Sequence, residues 1–259
     1  IQNILVGLLI APRLRALNNC HTLGDVIGQK YDKKCHILAG VISVGLCAGF
    51  ASVMAKAGGD VLRDFFGLPH WSSVLIVVAA TALYTTFGGL RASVMTDAFQ
   101  FSTFAILLPF ALLLILLFHP GSGAVAFVQQ ARAATAHGLS STSPLEIVGL
   151  VAAFLLGETL IPPYANRALA SETTRASRNC FILAGLFSAF WFMVMVSLGA
   201  AARSILPGDT GEDAVLLNLV KSTMSAGGYP LLLVVLVAVI MSSLDSLLNA
   251  GAVAFAQDV

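Results

Sequence analysis

Charge is what this sequence has least of. Asp, Glu, Lys and Arg make up 10% of its 259 residues, where a soluble domain carries about 25%. That shortage rules out an ordinary water-facing surface over most of the chain. A net charge of +1 leaves no basic footprint, so no nucleic-acid partner is expected. Cysteine is sparse as well: Cys20, Cys35, Cys47 and Cys180 show no disulfide framework. The pairs Cys20-His21 and Cys35-His36 match no usual zinc-ligand spacing. The sequence also lacks a phosphate-binding loop, an HExxH pair and a nucleophile elbow. An enzyme with a bound cofactor is therefore not expected.

What the chain has instead is apolar sequence: 58% of its residues, with a mean hydropathy of +0.89. Lipid solvates that much apolar surface, and water does not. A helical span needs about 20 apolar residues. Six stretches qualify: 37–61, 71–87, 94–118, 147–164, 180–202 and 230–257. Residues 1–11 are apolar but short and read as part of a severed span. Apolar sequence still runs at Val259, so the chain is read as one transmembrane domain, 1–259, cut at both ends. No strand alternation is visible, which disfavours a β-barrel. The expected fold is all-α and polytopic.

Basic residues set the orientation. With the severed span ending inside, the inner loops hold Arg13, Arg15, Lys30, Lys33, Lys34, Arg91, Arg167, Arg175 and Arg178. The outer loops hold Arg63, Arg132, Arg203 and Lys221. The first inner loop, Thr22-Leu23-Gly24-Asp25 and onward to Tyr31, suits a short helix on the membrane surface that starts near Thr22 or Asp25. A second short helix fits the outer loop near 213–224. Gly45 and Gly49 form a GxxxG pair, which reads as helix packing.

Polar groups inside spans are costly and mark candidate sites. Ser242, Ser246 and Asn249 share one face of the last span at i, i+4 and i+7, flanked by Ser243 and Asp245. Serines alone can bond back to their own helix. The added aspartate needs a partner, and hydroxyl with carboxylate oxygen suits a hard cation. Thr96, Asp97 and Gln100 open the span 94–118, where Asp97 reads either as a cap or as part of a site. Glu158 lies mid-span beside Gly157 and close to Pro162-Pro163. Two prolines break or kink that span, and the glutamate either faces a solute path or pairs with a neighbour. Lys56, with Asp60 four residues on, is read as snorkelling to the outer interface.

Four segments taken together resemble the sodium:solute symporter family. They are Thr22-Leu23 through Lys30-Tyr31, Gly88-Gly89-Leu90 through Thr96-Asp97 and Gln100, Arg167-Ala168-Leu169-Ala170 through Arg178, and Met241-Ser242-Ser243-Leu244-Asp245-Ser246 with Asn249 and Asp258. The resemblance implies part of a ten-helix inverted-repeat core of leucine-transporter type, from the end of the second core helix through the eighth. It implies a main sodium site whose eighth-helix part is the Val239 carbonyl with the Ser242 and Ser243 hydroxyls. It also implies a second cation site, found in some members, on Asp97, Ser242, Asp245 and Ser246. Sodium is then the coupling ion and the only metal expected.

The function implied is symport of a small organic solute with sodium by alternating access, in a multi-pass protein of the plasma (inner) membrane bilayer. Sugar-carrying members have an aromatic gate and a lysine where this chain has Gly157 and Ser188, so the substrate path of Gly157, Glu158 and Ser188 points to an amino acid such as proline or a small organic acid. The alternative is the membrane sensor domain of a signalling kinase, because some such kinases carry a similar transmembrane region.

Overall fold

The computed structural model describes residues 2–17, 19–118, 143–157, 161–206, 215–223 and 228–259. Among them the regular structure is helical and no strand occurs. Helix α1 (Gln2–Leu5) passes through a π-helical turn (Val6–Ile10) into α2 (Ala11–Arg15). Pro12 has no N–H to give the carbonyl four residues back, which favours a change of helical register beside it. There follow α3 (Leu23–Lys30), α4 (Lys33–Phe66), α5 (His70–Phe118), α6 (Pro144–Gly157), α7 (Pro162–Leu169), α8 (Thr174–Ile205), α9 (Val215–Thr223) and α10 (Gly228–Asp258).

Among the described residues, five segments are long and apolar enough to cross a bilayer: Lys33–Phe66, His70–Gly89, Ser93–Ile115, Thr174–Ala202 and Pro230–Asp258. The second and third are the limbs of α5. Gly89 divides them, with φ 57° and ψ −161°, a conformation open essentially to glycine alone. The stretch 147–164 is not one helix: α6 ends at Gly157, Ile161 is extended, and α7 opens with Pro162 in its first turn. Glu158 falls outside the described residues.

Local chemistry explains the ends of the short elements. Thr22 caps α3 in a box with Asp25: the Thr22 hydroxyl accepts from the Asp25 N–H at 3.0 Å, and Asp25 accepts from the Thr22 N–H at 3.2 Å. Asp32 caps α4 by accepting the Cys35 N–H at 2.8 Å, and that N–H holds its carboxyl below the usual carboxylate range. Thr173 caps α8 in the same way. Lys56 pairs with Asp60 at 2.9 Å, and Arg63 and His70 close on the same carboxylate.

Packing makes α10 the axis of the molecule. It lies along α4 and the limbs of α5, while α3 packs on α4 and α7 bridges α2 and α10. The first turns of the chain pack on α8. An apolar core joins Leu108 and Ile115 of α5 to Val194 and Leu198 of α8, Leu219 of α9 and Val235 of α10. Many large apolar side chains, Phe87, Trp71 and Phe99 among them, face outward. A soluble surface would not tolerate them, whereas a bilayer solvates them at no cost. The molecule is an integral, multi-pass, all-α membrane protein.

One expectation from the sequence fails. Gly45 and Gly49 are exposed and have no neighbour within 4 Å of an added Cβ, so this GxxxG pair makes no helix contact among the described residues. The motif sets a face but does not say what covers it. Close packing falls at Gly59 instead, where a Cβ would meet the Val74 side chain and, at 3.0 Å, the Val74 backbone nitrogen. Backbone cannot give way as a flexible side chain does. Gly59→Ala is therefore expected to cost about 1–3 kcal/mol, read as a lower unfolding temperature in detergent, while Gly45→Ala leaves that temperature unchanged. An unchanged Gly59→Ala would show that α4 and the first limb of α5 do not meet here.

Candidate functional site

The second limb of α5 carries Ser93, Thr96, Asp97 and Gln100 at i, i+3, i+4 and i+7, which is one helical face. It meets the Ser242–Ser246–Asn249 face of α10. Ser242 Oγ donates to Asp97 Oδ1 at 2.5 Å. Ser246 Oγ lies 3.5 Å from Asp97 Oδ2 and 3.2 Å from Asp245 Oδ1. Asp97, Ser242, Asp245 and Ser246, far apart in sequence, therefore form one connected group. Asp97 does not serve as a cap: its carboxylate turns across to α10 and α7.

Asp245 is completely buried. Tyr84, from the first limb of α5, donates to its Oδ2 at 2.9 Å. Thr96 Oγ1 lies 3.4 Å from the same oxygen, and the Ser93 hydroxyl also reaches the carboxylate. Ser246 has one proton to donate, yet faces the Ser242 carbonyl at 3.0 Å as well as both carboxylates. Tyr84 has one, for Asp245 or for the Met241 carbonyl at 3.3 Å. Thr96 has one, and its shorter contact is the Ser93 carbonyl at 2.9 Å. Gln100 Oε1 is buried without a hydrogen-bond partner. The Ser93 and Ser242 hydroxyls and the Gln100 amide, which reaches Tyr84, add further protons, but two carboxylates set among hydroxyl and carbonyl oxygens are an environment that a cation completes.

One cation of the protein is already there. Arg167 of α7 donates through Nη2 to Asp97 Oδ2 at 2.5 Å and to Ser246 Oγ at 2.7 Å. Pro162, in the first turn of α7, starts that helix so that Arg167 falls in its last turn, against α10. A cavity of about 220 Å³ opens beside it, lined by His21, Ser93, Asn166, Arg167, Ser246 and Asn249 among others. Asp97 is 17% exposed, whereas Asp245 is fully buried.

The remaining expected positions divide. Ser243 Oγ donates to the Val239 carbonyl at 3.2 Å, so those two oxygens adjoin, while the Ser242 hydroxyl is turned to Asp97. Ser188 bonds back to the Ala184 carbonyl at 2.8 Å. Gly157 ends α6, and Glu158 beside it is not described.

These features define the class: a polytopic helical membrane protein with an oxygen-rich polar centre where α5, α7 and α10 meet. The family model of the sodium:solute symporter family matches residues 1–259, and the chain belongs to that family, whose members are transporters and not enzymes. It is 26% identical over 250 residues to the sodium/pantothenate symporter of Escherichia coli, covering 93% of this chain and 51% of that protein. The sodium/pantothenate symporter of Haemophilus influenzae is 22% identical, with 93% and 51% covered. The sodium/glucose cotransporter 4 of Danio rerio is 23% identical, with 84% and 38% covered. The chain thus spans about half the length, or less, of these curated relatives.

Proposed function

We propose that the full-length protein is a secondary active transporter of the plasma membrane that couples sodium entry to uptake of a small organic solute by alternating access. The observation that carries this reading is the pair of carboxylates, Asp97 and Asp245, set among hydroxyl and carbonyl oxygens where α5 and α10 meet. In this assignment Asp97, Ser242, Asp245 and Ser246 form a cation site, to which the fold adds Tyr84, Ser93 and Thr96. The Val239 carbonyl with Ser243 and Ser242 supplies the α10 side of the main sodium site. Hydroxyl, carbonyl and carboxylate oxygens suit a hard monovalent ion, and no covalent chemistry is needed. The ion's role is to stabilise one arrangement of the helices over another. In this orientation α3 and α7 lie at the cytoplasmic side.

For the solute we favour a small organic acid or an amino acid over a sugar. Two relatives are named for pantothenate, itself a carboxylate, and Gly157 and Ser188 lack the aromatic and basic groups of sugar carriers.

The test is uptake by proteoliposomes holding the full-length protein, with pantothenate, proline and glucose offered in turn under an inward sodium gradient. Uptake of a carboxylate solute that ceases when choline replaces sodium is expected. Ser243→Ala, which removes one neutral oxygen worth about 1 kcal/mol, is expected to raise the half-saturating sodium concentration about fivefold. Uptake indifferent to sodium would overturn the coupling, and uptake of glucose alone would overturn the solute class.

A further inference from the structure

A second polar group lies where α10 ends, apart from the Asp97–Asp245 site. Asp258, the last residue of α10, is 3% exposed and its side chain is fully covered. Thr22 Oγ1 donates to its Oδ1 at 2.6 Å. His36 Nε2, from the first turn of α4, lies 3.2 Å from that same oxygen. Oδ2 is buried without a hydrogen-bond partner of good geometry, although the Gly24 N–H also reaches this carboxylate. The fold makes room for this carboxylate, because a Cβ at Gly24 of α3 or at Gly40 of α4 would collide with the Asp258 side chain. Asp25 of α3 brings a second carboxylate, whose Oδ2 accepts the His21 N–H at 2.8 Å. Asp25, His36 and Asp258 each present one ligand atom within 4.8 Å of the others. A cavity of about 300 Å³, lined by Asp25, Gly28, Gln29, Lys33 and His36, opens on the first two of them.

We infer that Asp25, His36 and Asp258 form a binding site for a divalent transition-metal ion of the zinc type, which clamps α3, α4 and the end of α10 together. A buried carboxylate beside a second one is stabilised by a cation or a proton. Two carboxylates and one imidazole form a mixed nitrogen–oxygen set, which selects zinc-like ions over sodium or magnesium. Donors around such an ion at about 2.1 Å stand no more than about 4.2 Å apart, so the three close on it with small side-chain rotations. The cavity supplies the path and the remaining ligands as water. Lys33 on its wall opposes the ion's charge, but it is exposed, and its long stem carries the ammonium to solvent. Sequence spacing hides the site, since its ligands come from three elements and neither Cys20 nor Cys35 takes part.

The test is Zn²⁺ titration of the chelator-stripped, full-length protein at neutral pH against a fluorescent chelator, with Mg²⁺ in excess. Wild type is expected to bind one Zn²⁺ that His36→Ala weakens about tenfold or more. His36→Cys, which restores a zinc ligand, is expected to keep the binding. Zn²⁺ is also expected to raise the unfolding temperature of wild type and His36→Cys but not of His36→Ala. Equal Zn²⁺ stoichiometry and affinity in wild type and His36→Ala overturns the proposal. So does acidification that stabilises the wild type as zinc should, with no zinc bound, because His36 then satisfies Asp258 with its own proton.

Discussion

Asp97→Asn in the full-length protein is expected to raise the half-saturating sodium concentration for uptake about thirtyfold, the equivalent of about 2 kcal/mol for a charged ligand. The Hill coefficient for sodium is expected to fall towards one, because a second ion loses its charged partner. The geometry sets the size of the effect. Asp97 accepts from Ser242 through one oxygen and from Arg167 through the other, and of the two carboxylates it is the one with solvent exposure. Asparagine keeps the shape and one acceptor but gives up the charge. The rival account is that Asp97 only holds Arg167 in place. That account predicts a lower unfolding temperature in sodium-free buffer and an unaltered sodium activation curve. The sodium-ligand account predicts the reverse: similar sodium-free stability and a smaller stabilisation on adding sodium. An unaltered activation curve would remove Asp97 from the ion site.

How far the sequence discloses this arrangement depends on whether the information is local. Caps are local, and Thr22 with Asp25 could be expected to start α3 because the box needs only residues three apart. Spans are also legible, because apolar length is a property of the run itself. The division of 147–164 follows from Pro162 and Pro163. Packing partners are a different matter. Gly45 and Gly49 have the spacing of a packing motif and Gly58–Gly59 does not, yet among the described residues only the second pair meets another helix. What distinguishes them is which face α10 and α5 happen to cover.

The site shows the same division. The faces of α5 and α10 can be drawn from helical periodicity, and extending that periodicity one turn back from Asp97 includes Ser93. Tyr84 had no such signal, because the positive-φ break at Gly89 lies between it and Asp97 and destroys the phase. Arg167 stands in an inner loop by charge count, where a basic residue is ordinary. Nothing along the sequence says that the short helix after Pro162-Pro163 folds back to place its guanidinium on Asp97. His36 and Asp258 are brought together only by the packing of α4 along α10.

Arg167 gives the remaining large effect, and its direction is the opposite of the first. Its guanidinium stands on Asp97 Oδ2 and Ser246 Oγ, two of the oxygens a second cation would use. A tethered cation at that position competes with a free one. Arg167→Gln is expected to lower the half-saturating sodium concentration about tenfold, or about 1.4 kcal/mol, a modest figure because Arg167 is 44% exposed and water screens the pair. Release of the ion is then slower, so maximal uptake is expected to fall even as apparent affinity rises. Arg167→Lys separates charge from shape. Lysine keeps the charge but not the fork that reaches both oxygens, so its sodium curve should lie between wild type and the glutamine variant. In the Asp97→Asn background the Arg167→Gln gain should largely vanish, because the carboxylate for which the two cations compete is gone. A coupling close to the full tenfold between the two positions is therefore the quantity to measure. If Arg167→Gln instead weakens sodium activation, the guanidinium supports the site and does not compete for it, and the two cations are bound together, not in turn.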